Sequence, residues 1–195
     1  EIPTITNLKR PKTEQAKKSG LSERELQYLL KTLTCRYQNE RNSKHKRHLK
    51  LLIHFISFMC LTGMRYSEAK QVKFSDCESY TKGDADYLKI FVRAKSKSRE
   101  LIGLHESATT LEKLRIYHLE NAETNGWLFS EDTYVFTDQY GNRVNSFSKS
   151  LNRALSDADL LFDKHGVKRN AGAFRKYYIT TALLNGMNYF ELAKQ

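Results

Sequence analysis

The first strong pattern in the chain is a stripe of leucines at helical spacing. The residues of the stripe fall one to four positions apart: Leu26, Leu29, Leu30 and Leu33. Ser22 stands three residues before Glu25, which is the spacing of a capping box at the beginning of a helix. The pattern therefore predicts an amphipathic helix over 21–37. The segment 1–20 carries both prolines and little apolar periodicity, so we interpret it as a linker or arm.

A second apolar stripe predicts a buried helix. Its residues again recur at helical spacing: Leu49, Leu52, Ile53, Ile56, Met59 and Cys60. The helix begins within 41–50, a stretch that holds five Lys or Arg and two His but no acidic residue. Gly63 is expected to end the helix, because glycine readily adopts the left-handed conformation common at helix C-termini. Arg65 would then lie just past a rigid element.

The middle of the chain changes to a strand pattern. Residues 87–104, YLKIFVRAKSKSRELIGL, predict two strands on either side of a polar turn at 95–99. The segment YVFTD at 134–138 predicts a further short strand. Helices are predicted in four other segments: 66–72, 107–119, 145–158 and 173–184. We therefore predict an α+β domain that is mainly α, with one small antiparallel sheet.

The charge of the chain adds a class of partner to this picture. Lys and Arg number 33 against 22 Asp and Glu, and the resulting net charge of +11 favours polyanions such as nucleic acid or an acidic membrane surface. No apolar run reaches the roughly 18 residues of a membrane span, and the N-terminus has no signal-peptide core. The three cysteines are scattered, without metal-ligand spacing. These features favour a soluble, cytoplasmic protein.

Three motifs follow one another along the chain. The first, LTGMRYSEAKQV, places Thr62, Gly63, Arg65 and Glu68 in a T-G-x-R-x-x-E pattern after the buried helix. The second, RAKSKSREL, lies on the predicted hairpin, and the third, GAFRKYYITTALLNG, begins a late helix. In this order the motifs resemble the catalytic domain of the tyrosine recombinases, the phage-integrase family, over residues 21–195.

The resemblance implies a helical catalytic domain with a small antiparallel sheet, and the function of a site-specific DNA recombinase or integrase. Such an enzyme cleaves and rejoins DNA strands of a mobile element through a 3′-phosphotyrosyl intermediate. It implies no cofactor and no metal. The implied partners are double-stranded DNA attachment sites, on which the full-length protein would act as a tetramer.

The resemblance also assigns roles to residues at matching positions. Arg65 and Arg175 would bind the non-bridging oxygens of the scissile phosphate, because a guanidinium offers a planar fork of donors and keeps its charge. Lys95 on the hairpin turn would protonate the departing 5′ oxygen as a general acid, with Lys97 as the near alternative because the turn is short. Glu68 would orient a guanidinium rather than transfer a proton.

Each of these residues also has a purely structural interpretation. Arg65 could bind the last carbonyl groups of the preceding helix, and Glu68 could form an i,i+3 surface pair with it. The basic residues around Lys95 could be an ordinary solvated hairpin turn. The flanking T-G and E positions, together with the later motifs, favour the catalytic interpretation of Arg65.

Two departures from the family pattern concern the proton acceptor and the nucleophile. Gly172 stands three residues before Arg175, where the family has a histidine, so the role of base is either dispensable, filled by water, or supplied by another group such as His165. The family's nucleophilic tyrosine belongs to an element after the helix that ends near Asn185. This chain is therefore expected to be truncated before the nucleophile, to bind DNA, and to form no covalent intermediate by itself.

Further DNA contacts are expected from basic segments outside the arginine motifs. The helix over 145–158 carries Lys149 and Arg153, which suit phosphate or base-edge contacts but could equally be a solvated helix face. Lys97 and Arg99 of the hairpin are expected to contact DNA as well. The basic stretch before the second helix could neutralise phosphates.

The sequence is also compatible with other functions. A non-enzymatic DNA-binding or regulatory protein could have kept the scaffold and lost the chemistry, as Gly172 and the missing nucleophile suggest. A type IB topoisomerase shares the mechanism and is a weaker alternative. A metallonuclease is disfavoured, because Asp84 and Asp86 are predicted to lie in a loop without partnered carboxylates.

Overall fold

The computed structural model describes residues 20–93 and 98–194. Its helices are α1 (Glu23–Asn39), α2 (Ser43–Thr62), α3 (Tyr66–Ala69), α4 (Ser107–Asn125), α5 (Ser148–Asp157), α6 (Gly172–Leu184) and α7 (Tyr189–Lys194). Its strands are β1 (Cys77–Lys82), β2 (Ala85–Val92) and β3 (Arg99–Ile102), with a 3-10 turn at Phe74–Asp76. The predicted α+β, mainly α class is confirmed. Lys95 and Lys97 lie outside the described residues.

The first two helices begin and end where local chemistry predicts. The Glu25 backbone N–H donates to Ser22 Oγ at 3.3 Å, and the Ser22 backbone N–H donates to Glu25 Oε2 at 2.8 Å, which completes the capping box of α1. Gly63 ends α2 in the left-handed conformation, with φ of 62°. The last residue of α2, Thr62, is buried, and its hydroxyl donates to the Phe58 carbonyl oxygen at 2.7 Å.

α2 is the central helix of the fold. It packs against α1, α4 and α6, and aromatic rings fill the space around its Phe55. The Phe55 ring stacks on Phe147, with centroids 4.3 Å apart, and meets Phe136 edge-on at 5.0 Å. All three rings are buried. The core is therefore built around the helix whose end presents Arg65.

The sheet is antiparallel and has the strand order β1-β2-β3. The sequence pattern predicts the β2–β3 hairpin but misses β1, because no residue of β1 is fully buried and no alternation is visible.

The prediction that Asp86 lies in a loop is wrong: Asp86 is in β2 and accepts a hydrogen bond from the Thr81 hydroxyl at 2.7 Å. The predicted strand at 134–138 is also wrong, since that segment makes isolated bridges only.

Buried polar contacts hold the later part of the chain on this core. His118 of α4 lies between the Val135 carbonyl oxygen, 2.9 Å from Nε2, and the Thr137 hydroxyl, 3.1 Å from Nδ1. Arg169, before α6, is buried and donates to Glu25 of α1 at 2.7 Å. Such contacts fix loops that have no regular structure of their own. None of the helices in the described ranges is both long enough and apolar enough to cross a bilayer.

Candidate active site

Arg65 stands at the junction between α2 and α3. Its backbone is extended, and α3 begins at the next residue. The guanidinium Nη1 donates to Glu68 Oε1 at 2.9 Å, and the Arg65 backbone N–H donates to Glu68 Oε2 at 2.9 Å. The Arg65 side chain remains 59% exposed. Glu68 therefore holds both the backbone and the guanidinium of Arg65 while leaving the latter open to solvent.

A second arginine, Arg99 of β3, binds the same carboxylate. Its Nη1 donates to Glu68 Oε1 at 2.9 Å and its Nη2 donates to Oε2 at 2.8 Å, which is a bidentate pair. The two side chains are 14% and 11% exposed. Sequence reasoning assigns Arg99 to DNA contact, whereas the structure directs its guanidinium at Glu68 and so ties the sheet to α3.

Arg175 reaches the same place from α6. Its Nη1 donates to the carbonyl oxygen of Gly63, two residues before Arg65. Tyr178, one turn further along α6, packs directly on Gly63: a Cβ at position 63 would lie 2.6 Å from Cγ of the ring. The Tyr178 hydroxyl donates to the Ile102 carbonyl oxygen at 2.7 Å. Glycine at position 63 thus permits the close approach of α6 that brings Arg175 to Arg65.

Two guanidiniums, those of Arg65 and Arg99, therefore bind the Glu68 carboxylate, and that of Arg175 lies near enough to interact with their charges. Counted over these four described side chains, the local charge is 3 − 1 = +2. Burial lowers the pKa of Arg175, and the neighbouring charges of Arg65 and Arg99 lower it further. Burial would raise the pKa of Glu68, but hydrogen bonds from Arg99 and Arg65 outweigh it and hold the pKa at about 2. The excess positive charge is suited to a bound anion, and above all to one whose charge increases during reaction.

Glu68→Gln is expected to make the free energy of unfolding less dependent on pH between about 7 and about 3. Because the pKa of Glu68 falls from 4.5 to about 2 on folding, its stabilising contribution is complete above pH 4.5 and is lost as the pH falls from 4.5 towards 2. Urea denaturation at about pH 7 and about pH 3 should show a smaller pH difference in unfolding free energy for Glu68→Gln than for the wild type. Glu100→Gln, which removes an exposed carboxylate paired with Lys89, should keep the wild-type difference. Equal pH differences in Glu68→Gln and wild type would contradict the assignment.

The hairpin that carries Lys95 and Lys97 is attached at this cluster. Val92 and Arg99 pair across the β2–β3 ladder, so both described ends of the hairpin lie beside Glu68. A cavity of about 150 Å³ lies next to them, lined among others by Glu68, Val92 and Arg93. The two lysines themselves lie in the segment 94–97, outside the described residues, and their proposed roles stay predictions.

Gly172 is the first residue of α6, one helical turn before Arg175. It is exposed, and its backbone N–H donates to Asn170 Oδ1 at 2.9 Å. His165 lies in the loop before α6, where its backbone N–H donates to Asp163 Oδ1 at 2.8 Å. None of the contacts among the described residues joins the His165 ring to Arg65 or Arg175.

The tyrosines nearest to Arg175 are engaged in packing. The Tyr177 hydroxyl donates to Glu23 of α1, and the Tyr178 hydroxyl to the sheet. Burial raises the pKa of each phenol to about 12. Both hydroxyls are already hydrogen-bonded to other elements, and a phenol with a raised pKa is a poor nucleophile, so neither Tyr177 nor Tyr178 is poised for attack beside Arg175.

Two grooves with basic walls meet at His48 of α2. One, of about 250 Å³, lies between α2 and α5 and is lined among others by Arg36, His45, Lys149 and Arg153. The other, of about 590 Å³, lies between α2 and the loop 138–146 and is lined among others by Lys44, Arg47 and Arg143. The two segments that the sequence suggests for DNA contact, 41–50 and 145–158, are therefore neighbours in space.

Sequence reasoning misses two contacts that shape the site. One joins Arg99 to Glu68, 31 residues away in the chain. The other joins the Tyr66 hydroxyl to the beginning of α5, 81 residues away at Phe147. No spacing rule connects residues so far apart. The only local signal is that Glu68, Arg99 and Tyr66 stand inside the motifs that carry the resemblance, whereas Phe147 does not.

No protein-family model and no characterised protein sequence matches the chain, but solved structures do. The XerH site-specific recombinase, in a post-cleavage complex with its palindromic difH substrate, matches with a TM-score of 0.64 and 21% identity over 90% of this chain and 44% of that chain. XerA recombinase matches with a TM-score of 0.57 and 17% identity over 90% of this chain and 54% of that chain.

The integrase of the transposon Tn1549, in complex with transposon right end DNA, matches with a TM-score of 0.57 and 13% identity, over 94% of this chain and 59% of that chain. The chain thus spans about half the length of the solved chains it matches. At such low identity the likeness concerns the fold. Together with the order of helices and strands around Arg65, Glu68 and Arg175, it shows that this chain has a tyrosine-recombinase-like fold.

Proposed function

We propose that this chain is the catalytic part of a site-specific recombinase or integrase, which cleaves and rejoins DNA through a 3′-phosphotyrosyl intermediate. The observation that carries the proposal is the cluster of Arg65, Arg99 and Arg175 beside Glu68, contributed by the residue before α3, by β3 and by α6. Arg65 is exposed and Arg175 is half-buried, so both can reach a phosphate on the surface. Such a cluster suits a phosphodiester that gains negative charge at its transition state.

The chemistry is divided among separate groups in this proposal. Arg65 and Arg175 bind the non-bridging oxygens of the scissile phosphate. Glu68 fixes the first guanidinium, and the Gly63 carbonyl oxygen fixes the second. Lys95, or Lys97 in its place, protonates the departing 5′ oxygen. The nucleophilic tyrosine lies outside this chain in this proposal. Its hydroxyl attacks the phosphorus and passes its proton to water, since Gly172 stands where the family has a histidine, and the phosphotyrosyl bond forms as the bond to the 5′ oxygen breaks.

The proposed partner is a double-stranded DNA attachment site, bound by a tetramer of the full-length protein. Two of the similar structures are complexes with DNA, difH in one and a transposon end in the other. In this chain, the two basic grooves that meet at His48 supply a positively charged surface for a duplex. Lys149 and Arg153 of α5 would contact the DNA there.

Binding of duplex DNA by the 195-residue chain is expected to weaken steeply with salt, because each phosphate contact releases counterions. Lys149→Ala and Arg153→Ala should each reduce the slope of log K against log salt by about 1, as measured by fluorescence anisotropy. Lys113→Ala removes an exposed lysine of α4 that lines neither groove, so it should leave the slope unchanged. If both α5 variants kept the wild-type slope, α5 would not belong to the DNA surface.

Gly172, at the place of the family histidine, favours a second candidate: a DNA-binding or regulatory protein on a degenerate recombinase scaffold. A nicked suicide substrate distinguishes the two, since cleavage next to the nick traps the covalent intermediate. The full-length natural protein is expected to give a covalent protein–DNA adduct on a denaturing gel, whereas the 195-residue chain is expected to bind without one. Binding by the full-length protein without any adduct would support the second candidate.

A further inference from the structure

Tyr66 follows Arg65 directly and begins α3. Its ring is half-buried and meets the Phe55 ring edge-on, with centroids 5.6 Å apart. Its hydroxyl reaches the beginning of α5, where the Phe147 backbone N–H donates to it at 2.7 Å and the Ser148 hydroxyl donates at 3.1 Å. The Tyr66 side chain therefore joins the backbone next to Arg65 to α5, the helix that carries Lys149.

The direction of these hydrogen bonds can be worked out from the number of donors and acceptors. A phenol oxygen has two lone pairs and one proton, and Phe147 and Ser148 use both lone pairs. The Tyr66 proton is then directed at Ser146 Oγ, 3.2 Å away, which also accepts the Ser148 backbone N–H at 3.1 Å. The hydroxyl is thus fully engaged, and its position relative to α5 is fixed by three partners.

A second contact acts in parallel with the hydroxyl. Lys70, at the end of α3, donates to the Asn145 carbonyl oxygen at 2.8 Å, and its Nζ lies over the Tyr66 ring, 4.9 Å from the centroid. α3 is therefore tied at both ends to the segment 145–148. Glu68 of α3 holds the Arg65 guanidinium. Any shift of α5 relative to α3 therefore changes the distance between that guanidinium and the basic side chains of α5.

We infer that Tyr66 is a positioning residue for the proposed cleavage: it sets the distance between the DNA-contacting helix α5 and the guanidinium of Arg65. The inference rests on the proposed function. DNA seated on Lys149 and Arg153 would thereby present its scissile phosphate to Arg65 in reacting geometry. A misplacement of about 1 Å can slow a reaction by about 100-fold, so the hydrogen bonds of one hydroxyl can matter for rate without mattering equally for affinity.

Tyr66→Phe in the full-length natural protein tests the inference, because it keeps the ring and removes the hydroxyl. At saturating protein on a nicked suicide substrate, the rate of covalent complex formation is expected to fall by about 10- to 100-fold. The dissociation constant for the same DNA should change by less than about threefold, since no group that contacts DNA is removed. A merely structural role would lower the melting temperature and the affinity without this selective loss of rate.

Tyr177→Phe is the matched control, because it too removes a tertiary tyrosine hydrogen bond, in this case to Glu23 of α1 and not to α3 or α5. It should cleave at close to the wild-type rate. Ser146→Ala should slow cleavage in the same direction as Tyr66→Phe. The double variant should lose less rate than the product of the two single effects, because the hydrogen bond between Tyr66 and Ser146 is lost in both single variants.

The possible results distinguish a failure of this inference from a failure of the proposed function. If the wild-type protein forms no covalent complex, the proposed function falls and the inference with it. If the wild type cleaves and Tyr66→Phe cleaves equally fast, the inference alone is overturned. A loss of rate that is matched by an equal loss of affinity would also overturn it, since Tyr66 would then act in binding or folding.

Discussion

Arg65→Ala is expected to slow DNA cleavage by the full-length protein by about 100- to 1,000-fold, with a loss of DNA affinity below about tenfold. The guanidinium is exposed, held by Glu68 and near Arg175, so in the proposed function it would stabilise charge that develops on the phosphate during attack. Interactions that strengthen in the transition state affect rate more than binding. Single-turnover trapping on a nicked duplex measures the rate, and fluorescence anisotropy measures the affinity.

Arg65→Lys separates charge from geometry in the same assay. Lysine keeps the positive charge but loses the planar fork that can bind Glu68 and a phosphate oxygen at once. We therefore expect most of the cleavage rate to be lost in this variant too. Arg24→Ala, which removes an exposed arginine of α1, should retain the wild-type rate. Wild-type cleavage by Arg65→Ala would remove Arg65 from the active site.

Gly63→Ala is expected to destabilise the fold by about 2–5 kcal/mol, which is a large part of the stability of a typical domain. The left-handed conformation at Gly63, with φ of 62°, costs an alanine about 1–2 kcal/mol. The added Cβ would also overlap the Tyr178 ring, and such overpacking costs about 1–3 kcal/mol or more. Urea denaturation at neutral pH measures the loss of unfolding free energy.

Gly83→Ala is a control for the cost of the left-handed backbone conformation alone. Gly83 has almost the same backbone angle, with φ of 63°, but a Cβ there would meet no atom within 4 Å. Its alanine variant should lose only about 1–2 kcal/mol. If Gly63→Ala and Gly83→Ala were equally destabilised, the close approach of α6 to the end of α2 would not be the reason for glycine in the T-G-x-R motif.

The elements that the sequence predicts correctly are those set by neighbours in the chain. The capping box of Ser22 and Glu25 and the left-handed stop at Gly63 are local, so the pattern alone places α1 and α2. The pair of Arg65 and Glu68 is local as well, since residues three apart meet at the beginning of a helix. β1 escapes prediction because its side chains are nowhere fully buried.

Contacts between residues far apart in the chain required the structure. The resemblance names Arg65 and Arg175 together, but only the packing of Tyr178 on Gly63 shows how α6 comes close enough. Arg99 is interpreted from sequence as a DNA contact because it lies in a basic turn, yet it forms a bidentate pair with Glu68. A basic residue near a motif can face a phosphate or a carboxylate, and spacing does not distinguish the two.

By itself the sequence determined the mainly helical class, the excess of positive charge, and the local unit in which Glu68 holds Arg65. Only the tertiary structure decided that Arg99 and Arg175 join this unit, that the basic segments of α2 and α5 adjoin, and that Tyr66 connects them to Arg65. The physical reason is the separation along the chain over which each kind of interaction acts. Capping and helical periodicity act over a few residues, whereas the meeting of distant side chains depends on how α2, α6 and the sheet pack around a shared core.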